Sequence, residues 1–138
     1  MKITSLKELE QLSQKELDEL FKKGTAGKFP SGDTNGVVLL QPFFVKLFGE
    51  LVWKGKSFDL SNKTLTNRML GLHLINGKLS TAKSFFDGKK ALLIDYRKTS
   101  KIAGDVIDEI REVSKGIFLG RAYKTGVFFA SFALEVRK

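Results

Sequence analysis

The stretch DEIREVSKGIFLGRAY, residues 108–123, places five charged side chains, Asp108, Glu109, Arg111, Glu112 and Lys115, among isolated aliphatics ahead of Gly116. Acids and bases this dense do chemistry only when they are taken out of water. Burial then raises a carboxyl pKa towards that of a proton-transfer group, and an arginine beside it becomes a binder of carboxylate or other anions. As a helix over 102–113, the segment would leave Asp105, Asp108, Glu109 and Glu112 in solvent. As a strand from Ile107, it puts Glu109 and Arg111 on one face and Asp108 and Glu112 on the other, so one charged pair must face the interior. The Ser114-Lys115-Gly116 turn and the following IFLG favour the strand, preceded by a short helical turn over 100–104.

Other candidates for chemistry are few. His73 is the single histidine and cysteine is absent, which removes Cys-His pairs, disulfides and the usual zinc ligand sets. Neither GxGxxG nor GxxxxGK[ST] occurs, and nothing implies a metal or a cofactor. The segment KTGVFFASF, 124–132, interleaves charge and aromatics, but it misses the RNP1 spacing and argues against a nucleic-acid module of that type.

The elements that must position these groups begin with a helical segment, 1–24. Ser5 with Glu8 and Ser13 with Glu16 fit capping boxes, and leucines recur near the 3.6-residue period up to Phe21 before Gly24. From Gly36 onwards, short β-type runs alternate with turn dipeptides. Asn76-Gly77 and Asp87-Gly88 read as hairpin turns, and two further turns fall at 114–116 and 124–126. About eight strands in sequence order predict an antiparallel barrel or a strongly curved meander of lipocalin or fatty-acid-binding type over 36–138, behind an N-terminal helix, all in one domain of 138 residues. PFFVKLFGELVW, 42–53, reads as a short aromatic plug or lid.

The net charge is +9, with 42% hydrophobic residues. Residues 1–23 balance five lysines against five acids, whereas 54–101 carry eleven Lys plus Arg against three Asp. This excess leaves open contact with an anionic membrane surface or nucleic acid, although scattered lysines also keep a Phe-rich protein soluble. The apolar runs are too short for a transmembrane helix and no secretory signal is read, so the expected address is cytoplasmic, for a monomer or homodimer.

The series Trp53-Lys54-Gly55-Lys56, Asn67-Arg68, Asp87-Gly88, Asp95-Tyr96 and DEIREV…G…LG over 108–120 resembles a family of small bacterial proteins that share it and have no established activity. The likeness spans about 16–137. It implies that Trp53, Lys56, Asn67, Asp87, Tyr96, Asp108, Glu109 and Arg111 are the family's signature side chains; Lys115 departs from the pattern where a proline would precede the turn glycine.

The leading expectation is therefore a barrel that binds a small hydrophobic, anionic molecule. Arg111 or Arg121, with Tyr96 and Asn67, would hold the head group, and Trp53, Arg68, Phe118 and Phe132 would make the remaining contacts. The first alternative is an isomerase, cyclase or hydrolase in the same cavity, with Glu109, Asp108 or Asp95 moving protons and Tyr96 or His73 assisting. The second alternative is a nucleic-acid or partner-binding module that uses the basic middle of the chain.

Overall fold

The computed structural model describes residues 2–39, 53–69, 72–100 and 104–137. Two helices, α1 (Leu6–Glu10) and α2 (Gln14–Lys23), precede eight strands: β1 (Gly32–Leu39), β2 (Trp53–Asp59), β3 (Thr64–Met69), β4 (Leu72–Lys83), β5 (Lys90–Asp95), β6 (Val106–Ser114), β7 (Ile117–Lys124) and β8 (Val127–Val136). Each strand pairs antiparallel with the next, and β8 returns to β1, with Thr34 opposite Val136 and Leu39 opposite Ser131, so the sheet is a closed barrel. The expected eight-stranded barrel is the observed one. It starts at Gly32, four residues before the expected start at Gly36, because β1 is fixed by its partners β2 and β8.

Alternation divides the buried side chains between two cores. Inside the barrel lie Phe58, Leu65, Leu92, Ile94, Ile110, Phe118, Phe132 and Leu134. The segment after α2 closes one end: Ala26 and Phe29 pack on this inner core, and Thr25 bridges antiparallel to Glu112. The second core lies outside the wall, where Leu9, Leu17 and Phe21 of the helices meet Leu39, Ile117, Leu119 and Ala133. Helix α2 carries the full Ser13–Glu16 capping box. The box read at Ser5 does not form, since Glu8 accepts from the Thr4 amide and hydroxyl instead.

Two local readings change. Asn76-Gly77 is not a hairpin turn; both residues lie within β4, beside a bulge where Ile75 takes φ 58°. A Cβ at Gly77 would stand 2.9 Å from Tyr96 Cε1, so the glycine is there for the close approach of that ring. On β8, an extra residue opposite Ala122/Tyr123 turns Phe128 outward, onto the Arg121 guanidinium, although it is two residues from Ala130. The turns at 115–116 and 125–126 form as read. Residues 42–52 of the aromatic segment and most of the turn expected over 100–104 lie outside the described residues. No helix among the described residues is long and apolar enough to cross a membrane.

Candidate functional site

The barrel's other end holds a cavity of about 300 Å³, lined by Val38, Met69, Ile75, Val106, Phe129 and Ala130, among others. Its floor is polar: Lys56, Asn67, Tyr96 and Asp108, with Trp53 and Phe132 alongside. Three strand features put these groups on one side of the wall. Trp53 and Lys56 are three residues apart and would point oppositely in a regular strand, but a bulge between Trp53 and Gly55 brings both inward. Gly55 takes φ 145°, and a Cβ there would overlap the Thr34 carbonyl oxygen, so the WxGK spacing needs this glycine. Asn67 donates from Nδ2 to the carbonyl of Ile75 (3.0 Å), the residue displaced by the β4 bulge. Asp108 enters from β6 by simple alternation with Ile110.

The floor is one continuous network. Lys56 Nζ donates to Asn67 Oδ1 (2.8 Å) and to the Tyr96 hydroxyl (2.6 Å), and pairs with Asp108 Oδ2 at 3.0 Å. Tyr96 donates to Asp108 Oδ2 (3.1 Å) and accepts from Asn67 Nδ2 (3.1 Å), while the Trp53 indole N–H donates to Asn67 Oδ1 (2.9 Å). The ammonium also lies 5.1–5.4 Å from the ring centres of Phe132, Tyr96 and Trp53, within cation–π range. Burial pushes the Lys56 pKa down, and the Asp108 carboxylate works against that. Burial, reinforced by Asp108, pushes the Tyr96 phenol well above its usual value, so it serves as a neutral O–H donor.

A second network lies behind the same wall, under α2. Glu109 is fully buried and accepts from Ser84 Oγ (2.8 Å), the Phe85 amide (2.5 Å) and the Tyr123 hydroxyl (3.3 Å). Arg111 grips Asp87 with two bonds (2.7 and 2.8 Å) and donates to the carbonyl of Phe21 in the last turn of α2 (3.2 Å). Arg121 binds Asp18 of α2 at 2.5 Å, with its guanidinium 4.0 Å from the centre of the Phe86 ring and 4.2 Å from that of Phe128. The charged strand of the sequence reading thus buries both of its faces, one in the cavity and one beneath a helix.

The sequence-derived site therefore splits. Trp53, Asn67, Tyr96, Asp108 and Phe132 come together at the cavity. Arg111 and Arg121 do not, because their odd positions on β6 and β7 direct them to the helix side, and with them goes the proposed hold on an anionic head group. Glu109 fails as a cavity base for the same reason. Phe118 belongs to the packed inner core and is not among the cavity's lining residues. His73 and Arg68 are on the outer wall, in a groove with Lys54, Arg137 and Asp33; His73 Nδ1 lies 3.0 Å from Thr66 Oγ1, and Arg68 donates to the Thr34 carbonyl. Asp95 pairs with Arg97 at 2.8 Å. Lys56 lines the cavity too, and the sequence reading named it only as a signature side chain of the resemblance, leaving it out of the site. Its signal was the WxGK glycine, which marks a bulge and hence an inward lysine. Among the described residues, no group of three or more His, Cys, Asp or Glu side chains could hold a metal ion.

No protein-family model matches the chain, and no curated protein is significantly similar to it. Among solved structures, the crystal structure of a protein from Thermomonospora curvata shares the fold, with a TM-score of 0.65 over 92% of this chain and 89% of that one, at 15% sequence identity. At that identity the likeness is one of architecture alone.

Proposed function

We propose that this protein binds a small, mainly apolar molecule in the recess at one end of its barrel, in the manner of lipocalin-type carriers. The observation that carries this reading is the cavity itself: an aromatic and aliphatic recess over a polar floor, at the end of the barrel away from the packed pair Phe29 and Phe58. Eight strands enclose just enough room for one small ligand, and apolar walls with a few convergent polar groups are the usual make-up of such sites. The resemblance to small bacterial proteins of the WxGK series supports the same place, because five of its eight signature side chains, Trp53, Lys56, Asn67, Tyr96 and Asp108, face the cavity, while Asp87, Glu109 and Arg111 hold the helix side.

Native mass spectrometry of protein from its own cells, followed by organic extraction, tests this directly: a stoichiometric apolar molecule is expected. Ala130→Trp places a large ring in the recess and is expected to abolish retention of that molecule while the thermal transition is kept. Retention undiminished by this substitution would put the ligand elsewhere.

A further inference from the structure

Counting the donors and acceptors of the cavity floor defines what a ligand can offer it. An ammonium has three N–H groups, and those of Lys56 go to Asn67, Tyr96 and Asp108. The indole N–H of Trp53 is taken by Asn67, and both protons of the Asn67 amide are taken, by Ile75 O and the Tyr96 hydroxyl. The Tyr96 proton goes to Asp108, and its oxygen already accepts twice. Asn67 Oδ1 accepts twice as well. One site is left. Both bonds to Asp108 end on Oδ2, and among the described residues nothing donates to Oδ1. Asp108 itself lines the cavity, so Oδ1 is the acceptor that a ligand seated there would meet.

We infer that the cavity selects a neutral apolar molecule whose polar end is a hydrogen-bond donor, a hydroxyl or N–H group, received by Asp108 Oδ1, and that it discriminates against carboxylates. The inference rests on the cavity being the binding site. A fatty-acid carboxylate would find no unused donor on the floor and would set its charge against Asp108 where water is scarce. A protonated amine would meet the Lys56 ammonium, held 3.0 Å from the same carboxylate. A neutral donor completes the network without adding charge. At about 300 Å³ the recess is at the small end for ligand sites, which suits a single chain or ring system with one polar group.

The test compares three probes of nearly equal size at pH 7.5, octan-1-ol, 1-methoxyheptane and octanoate, each displacing the neutral fluorophore N-phenyl-1-naphthylamine. Octan-1-ol is expected to displace it at roughly tenfold or lower concentration than either of the others, the ratio that one hydrogen bond to a charged acceptor supports. In Asp108→Asn, which removes the negative charge and frees the lysine, the deficit of octanoate relative to octan-1-ol is expected to shrink by about tenfold or more. If Asp108→Asn does not fold, the ranking on the unmodified protein decides alone. Octanoate binding as tightly as octan-1-ol, or 1-methoxyheptane matching it, overturns the donor inference and leaves cavity binding standing. No fluorescence gain with the fluorophore and no heat of binding with any of the three overturns both.

Discussion

Lys56 is the side chain whose environment departs most from its ordinary chemistry. It is 4% exposed, yet all three of its protons have oxygen partners, and the adjoining carboxylate removes the net charge from the floor. Such a pair is held by geometry, and removing one member strands the other in the barrel. Lys56→Met is expected to lower the unfolding free energy by about 3–5 kcal/mol. The double variant Lys56→Met/Asp108→Leu should recover most of that loss, as read from urea midpoints in a double-mutant cycle. Additive losses would mean that the pair contributes nothing as a unit. At this scale the sequence was half legible. Asp108 and Tyr96 follow from simple alternation, but the inward turn of Lys56 depends on a bulge, and strict period-two counting sends it the wrong way.

Strand β6 and helix α2 are joined by the outer network, and acid is expected to weaken their junction. The Arg111 guanidinium, bonded twice to Asp87, holds that carboxyl down to about 2, below its usual 3.8, while the same guanidinium caps the carbonyl of Phe21. A carboxyl with a depressed folded-state pKa binds protons more readily in the unfolded chain, so its contribution is complete above pH 4 and is lost as the pH falls from about 4 to about 2. Helix α2 is thus expected to loosen in that window, and Asp87→Asn should flatten that part of the stability–pH curve measured by circular dichroism. A curve unchanged by Asp87→Asn would show that the clamp does not govern docking of the helix. The helix itself was readable from Ser13 and its leucine spacing. The clamp was not, because Arg111 and Asp87 are far apart in sequence and the charged strand looked like a single site when its two faces serve different partners. The same limit explains Asn76-Gly77: neither residue takes the positive φ that a hairpin turn there requires, Ile75 takes it instead, and a bulge and the Tyr96 ring, both tertiary, determine how the pair is used.

For the molecule as a whole, turn punctuation gave the right strand count and order although it set the β3–β4 boundary at Asn76-Gly77, inside β4, since consecutive antiparallel pairing is what short connections allow. Closure was left open between a barrel and a curved meander, and the structure carries it in one seam: among the described residues β1 has six paired positions with β8 and two with β2. Ending the chain at Thr125 is therefore expected to abolish cooperative unfolding and to make residues 32–39 the first site of proteolysis; a truncated chain that retains a sharp thermal transition would show that the seam is dispensable. This seam also fixes a schedule. A ribosome releases β1 about a hundred residues before the strand that holds it, at roughly 5–20 residues per second. For several seconds in each round of synthesis the nascent chain must carry an unpaired, hydrogen-bonding edge through a crowded cell, and chaperones or neighbouring nascent chains have that long to find it.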